Sequence, residues 1–103
     1  MGLTAVPEAK PLPVLRLFIA GDTPGARRAQ ATRLQIIEVL RGRVDIEVVD
    51  VLMQPNEAER FGILATPTLS DDSVQPPRRL IGDISNVAQV LEFFGYRKEG
   101  STS

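Results

Sequence analysis

The chemistry open to this chain is narrowed first by two absences: its 103 residues include no cysteine and no histidine. No disulfide, thiolate nucleophile or cysteine metal site can form, and the commonest general base and metal ligand is missing. Hydroxyls, carboxylates and guanidiniums remain. Thr23, in Asp22-Thr23-Pro24-Gly25-Ala26, needs a neighbouring base to act as a nucleophile; before a proline it suits helix capping better. Asp71-Asp72, with the scattered Glu57 and Glu59, offers hard oxygen ligands. The spacing is not that of an EF-hand, and adjacent aspartates in a polar loop are expected to be solvated. Arg78-Arg79 beside Pro76-Pro77 can meet a phosphate or an acidic partner, but such a pair ordinarily lies on the surface. Neither a Walker pattern nor G-x-G-x-x-G occurs. The expectation is a non-enzyme with no catalytic residue, no metal and no cofactor.

Composition points the same way. Twelve basic and 13 acidic residues leave a net charge of -1, without the basic excess of a nucleic-acid binder. No apolar run approaches the length of a membrane span, and the first residues, MGLTAVPEAKPLP, do not read as a secretory signal. A single cytoplasmic domain is expected, because a secreted domain of this size is often stapled by disulfides.

The elements that must position these groups follow from periodicity and punctuation. Residues 1–13, with three prolines and little to bury, read as a flexible tail. Val14 to Ala20 reads as a buried strand, and the helix from Pro24 to about Arg41 carries Ala26, Ala29, Ile36, Ile37 and Leu40 along one stripe. Arg27, Arg28 and Arg33 lie mainly outside that stripe, and Gly42 is the expected stop. A strand over Val44 to Val51 completes a β-α-β unit. A short helix starts near Pro55 and stops at Gly62. Pro67 cannot donate to a ladder and should open a strand. Ser70 to Pro77 reads as a polar link, and Arg79 to Ile81 suffices for a short strand. Asp83 or Ser85 is placed to cap a last helix whose Val87, Val90, Leu91 and Phe94 fall at i, i+3, i+4 and i+7. The domain is bounded at 14–95, with 96–103 as a second tail. The last helix is locally ambiguous, since Val87, Val90, Phe93, Phe94 and Tyr96 also favour strands.

Three segments carry a resemblance. The G-I-x-x-x-P-T pattern from Gly62 to Thr68 looks like the cis-proline loop of thioredoxin-like proteins. Together with LFIAGDTPGARRA (Leu17 to Ala29) and IGDISN (Ile81 to Asn86), it resembles the KaiB family. That resemblance implies a single α/β domain of thioredoxin-like βαβαββα order. The alternative is the family's ground-state fold, βαββααβ, with a metamorphic C-terminal half and a homo-oligomer, dimer or tetramer. It further implies a clock or timing regulator that binds a KaiC-like ATPase and modulates its phosphorylation and hydrolysis cycle through a fold switch. A competing histidine kinase or another clock component would be a further partner; no nucleic acid or membrane is involved. The sites implied are Thr66, Pro67 and Thr68 for the cis-proline loop, although Pro67 also reads as an ordinary strand-opening proline. Glu47, Gly62, Ile63 and Leu64, with Arg28 nearby, are implied for the partner. Glu47, Gly62 and Asp71 stand where the resemblance leads one to expect lysine, which alters the electrostatics of the contact. A thioredoxin-like sensor or adaptor that contacts a signalling kinase without switching fold is the second reading. Thiol redox chemistry is excluded under either.

Overall fold

Pro13 leads directly into the first apolar run, and in the computed structural model, which describes residues 12–96, that run is β1 (Val14–Ile19). There follow α1 (Pro24–Val39), β2 (Asp45–Asp50), α2 (Pro55–Phe61), β3 (Thr68–Asp71), β4 (Arg78–Ile81) and α3 (Val87–Phe94). The sheet order is β2-β1-β3-β4. The β1–β2 pair is parallel, as a crossover through α1 requires, whereas β3 runs antiparallel to both its neighbours. This is the thioredoxin-like βαβαββα order and not the βαββααβ alternative. The tail expectations fall outside the described residues except at Leu12, Pro13 and Tyr96. Tyr96 packs against the core.

Local chemistry sets the helix ends. Thr23 caps α1 by accepting the Ala26 N–H at 3.1 Å, with Pro24 in the first turn. The helix stops at Val39, two residues short of the expected Arg41. Arg41 and Gly42 both take positive φ, 53° and 75°, a reversal that the neighbouring glycine makes easy. Asn86, and neither Asp83 nor Ser85, caps α3: its side chain accepts the Gln89 N–H at 3.0 Å. A cap has to sit just before the first turn, and helix begins only at Val87. The Asp83 carboxylate instead accepts the Ser85 N–H and closes the preceding turn. The expected polar link is also shorter, since Ser70 and Asp71 belong to β3, and β4 starts at Arg78, one residue before the expected Arg79.

Alternation along the strands divides the molecule into two faces. Leu15, Leu17 and Ile19 join Ile46, Leu69 and the apolar sides of α1 and α3 in one buried cluster. Thr32 is buried with them on α1, and Arg33, expected outside, reaches across to donate from Nε to the Ile46 carbonyl at 2.6 Å. Arg16 and Phe18 point the opposite way. The strand register places Glu47, Arg16, Ser70 and Arg79 in one row across that second face, and Val49, Phe18, Thr68 and Ile81 in the next. The short helix α2 covers part of it, with the Phe61 ring 5.8 Å from that of fully buried Phe18.

Candidate partner-binding surface

The stretch linking α2 to β3 is shaped by backbone geometry before any side chain is considered. Gly62 ends α2 in the left-handed region at φ 67°, where a side chain would be strained. The Ile63 N–H then donates to the Ala58 carbonyl at 2.8 Å, and the turn throws Leu64 outward, 99% exposed. The Thr66-Pro67 peptide is cis. Pro67 opens β3 as its missing N–H demands, while its carbonyl accepts the Gly82 N–H at 2.9 Å. Buried Thr68 folds its hydroxyl back onto the Ala65 carbonyl at 2.6 Å. Gly62, Ile63, Leu64 and Thr68, with Arg79 and Ile81, line a shallow cleft of about 80 Å³.

Beside the cleft lies a charged lattice. Asp72 accepts from Arg79 Nη2 at 3.1 Å and from Arg16 Nη1 at 3.4 Å, and the Ser70 hydroxyl donates to it at 2.9 Å. Arg79 Nε donates in turn to Ser70 Oγ at 3.0 Å. Arg16 continues the row to Glu47, 3.5 Å away, and lies over the Phe61 ring at 4.6 Å from its centre. The Asp72 side chain keeps only 13% of its exposure, so the expectation that both aspartates are solvated fails for it. Arg79, expected on the surface, is three-quarters covered. Asp71 turns away and accepts the Ser73 N–H and hydroxyl.

A second cleft, about 130 Å³, lies on the other side of Pro67 and is lined by Gly25, Arg28, Ala29, Pro67, Gly82, Asp83, Ile84 and Ser85. Asp83 sits below the ordinary carboxylate range because the Ser85 hydroxyl and N–H stabilise its charge, with Arg28 adding a smaller effect. At the adjacent start of α1, where a thiol reductant needs its cysteine pair, the chain presents Thr23-Pro24-Gly25-Ala26.

Comparison with known proteins gives this arrangement a family. The sequence profile of the KaiB domain matches residues 16–95. The chain belongs to the KaiB family. It is 47% identical over 79 residues to the "Circadian clock oscillator protein KaiB" of Parasynechococcus marenigrum (strain WH8102), covering 76% of each chain. Among solved structures it resembles the N-terminal domain of Synechococcus elongatus SasA, with a TM-score of 0.66 at 21% identity over 98% of this chain and 100% of that one. It also resembles chloroplastic thioredoxin z, with a TM-score of 0.67 at 25% identity over 80% and 74%. The fold is thioredoxin-like.

In this KaiB-family chain the expected site residues separate into groups. Gly62, Ile63, Leu64 and Thr68 share the smaller cleft, and Glu47 joins that face through Arg16. Arg28 lines the other cleft with Pro67; Thr66 is exposed between them. Sequence reading missed Arg16, Ser70 and Asp72 as a unit, because their contact depends on strand register and not on spacing. It also missed an apolar rim. Leu52, Met53, Leu64 and Ile81, 61–99% exposed, lie toward the end of the sheet where β1, β2 and β4 finish and β3 begins. Their signal was available: Leu52-Met53 is an apolar pair directly after a strand and before a proline-started helix.

Proposed function

We propose that this chain is a non-enzymatic clock or timing regulator that binds a KaiC-like ATPase through the α2 face and modulates its phosphorylation and hydrolysis cycle. Membership of the KaiB family carries the reading, and relatives named as circadian clock oscillator proteins supply the clock role. The face itself supports a binding role. It offers an exposed apolar rim beside a cleft, and interface energy is concentrated where a few such anchors are desolvated. It has no thiol pair, and no helix among the described residues is long and apolar enough to cross a membrane.

The finer mechanism is a population shift. If only one arrangement of the C-terminal half fits the partner, apparent affinity falls by the fraction in that arrangement. The residues of α3 favour this, since Val87, Val90, Phe93 and Phe94 are types that also favour strands. Size-exclusion chromatography of the chain mixed with a KaiC ATPase and ATP, sampled from minutes to a day, tests it. A complex that accumulates slowly is expected. No complex at any time, with an active ATPase and a folded chain, removes the reading.

A second reading draws on one observation, the match in fold along the whole SasA N-terminal domain. Under it the chain is a thioredoxin-like adaptor that keeps a single fold and contacts a signalling kinase or another protein without redox activity. A complex that forms at once, with unchanged α3 amide resonances before and after binding, distinguishes it.

A further inference from the structure

The Asp72 lattice holds two arginines of the candidate binding face at one carboxylate. Arg16 comes from β1 and Arg79 from β4, at side-chain exposures of 27% and 24%, and Asp72 lies between them at 13%. Glu47 supplies the second anion, from β2. The four side chains carry two positive and two negative charges, so the row is neutral as a unit. Partly buried charges are screened less by salt than exposed ones, which makes the balance felt by anything that docks there. Arg79 is also a wall of the cleft that Gly62, Ile63, Leu64 and Ile81 complete.

We propose that Asp72 is the specificity-determining residue of this face, cancelling and aligning Arg16 and Arg79 so that the cleft and its rim accept an aliphatic partner surface without excess negative charge. Removing that carboxylate leaves two guanidiniums facing Glu47 alone. The row then carries a net positive charge and recruits acidic chains, since like-with-unlike charge steering sets partner choice more than raw affinity. Asp72 acts through the arginines and is a positioning residue. The inference rests on the reading that this face is the binding face, but its test needs no ATPase.

A fluorescent hexaglutamate peptide is titrated by anisotropy against the full chain, its Asp72→Asn and Asp72→Glu variants, and the Asp72→Asn/Arg79→Gln double variant, at low and at physiological salt. The expected result is weak binding by the natural chain and about tenfold tighter, salt-sensitive binding by Asp72→Asn. Asp72→Glu restores the weak binding, and so does the double variant, in which the row is neutral again. Equal binding by the natural chain and folded Asp72→Asn overturns the proposal. So does a gain that survives in the double variant, because the peptide then sits elsewhere. Should Asp72→Asn fail to fold, Arg79→Gln alone is read against a hexalysine peptide; it leaves the row net negative, and no gain over the natural chain overturns the proposal. A chain that passes these tests yet never binds a KaiC ATPase retains its charge-neutral face and loses the ATPase.

Discussion

The two faces of the sheet solve opposite problems with the same strands. On one, Leu15, Leu17, Ile19, Ile46 and Leu69 meet α1 and α3 and leave almost nothing to solvent. On the other, the alternate residues of those strands build a charged row and an aromatic contact under a seven-residue helix, beside an open apolar rim drawn largely from the loops. Period-two alternation makes this division inevitable once register is set. Stability is concentrated on the first face, and the proposed recognition on the second.

The most severe way to break that comparison is to empty the closed face. Leu17→Ala removes a side chain with no exposure from the centre of the cluster. It is expected to cost about 3–5 kcal/mol in chemical denaturation, enough to threaten folding of a domain this size. On the open face, Phe61→Ala loses the contact with Phe18 and the cation–π contacts of Arg16 and Arg60. Phe61 is half-buried, so about 2 kcal/mol is expected. Equal losses for the two substitutions would abolish the distinction between the faces.

Leu64→Glu sharpens the comparison from the other side. Leu64 is almost wholly exposed, so its replacement should shift unfolding by less than about 0.5 kcal/mol. Under the proposed function it should weaken the ATPase complex about tenfold or more, because a charge would have to be desolvated at the rim. A variant that binds as well as the natural chain moves the contact away from the cleft.

What could be read from the sequence follows the same division. Much of the closed face announced itself through local signals: the proline-bounded apolar run of β1, the α1 stripe with Thr23 before it, and the spacing of Val87, Val90, Leu91 and Phe94, although that last segment also carries strand-favouring residue types. Gly62, Ile63 and Leu64 reached the candidate surface through family resemblance and not through spacing. The open face was obscure because its partners are distant in the chain. Arg16 and Asp72 lie 56 residues apart, and nothing in Asp71-Asp72 tells which aspartate turns inward until β3 pairs with β1. The α3 cap went to Asn86 because three residues with capping side chains stand within four positions, and only the helix start chooses among them.

The smallest expected effect tests the edge of the closed face. Tyr96 packs against the core beyond α3, and burial, with a lesser contribution from the charge of Asp71, raises its phenol above the ordinary value of 10.0. A folded pKa raised above the unfolded one means that the native state holds the proton more tightly. The associated stability is therefore intact below pH 10 and is lost as pH climbs through the folded value. Denaturation midpoints of the natural chain should fall above pH 10 more steeply than those of Tyr96→Phe, which packs alike and cannot ionise. Parallel pH profiles for the two chains would mean that Tyr96 ionises as freely folded as unfolded, and the closed face would then end at Phe94.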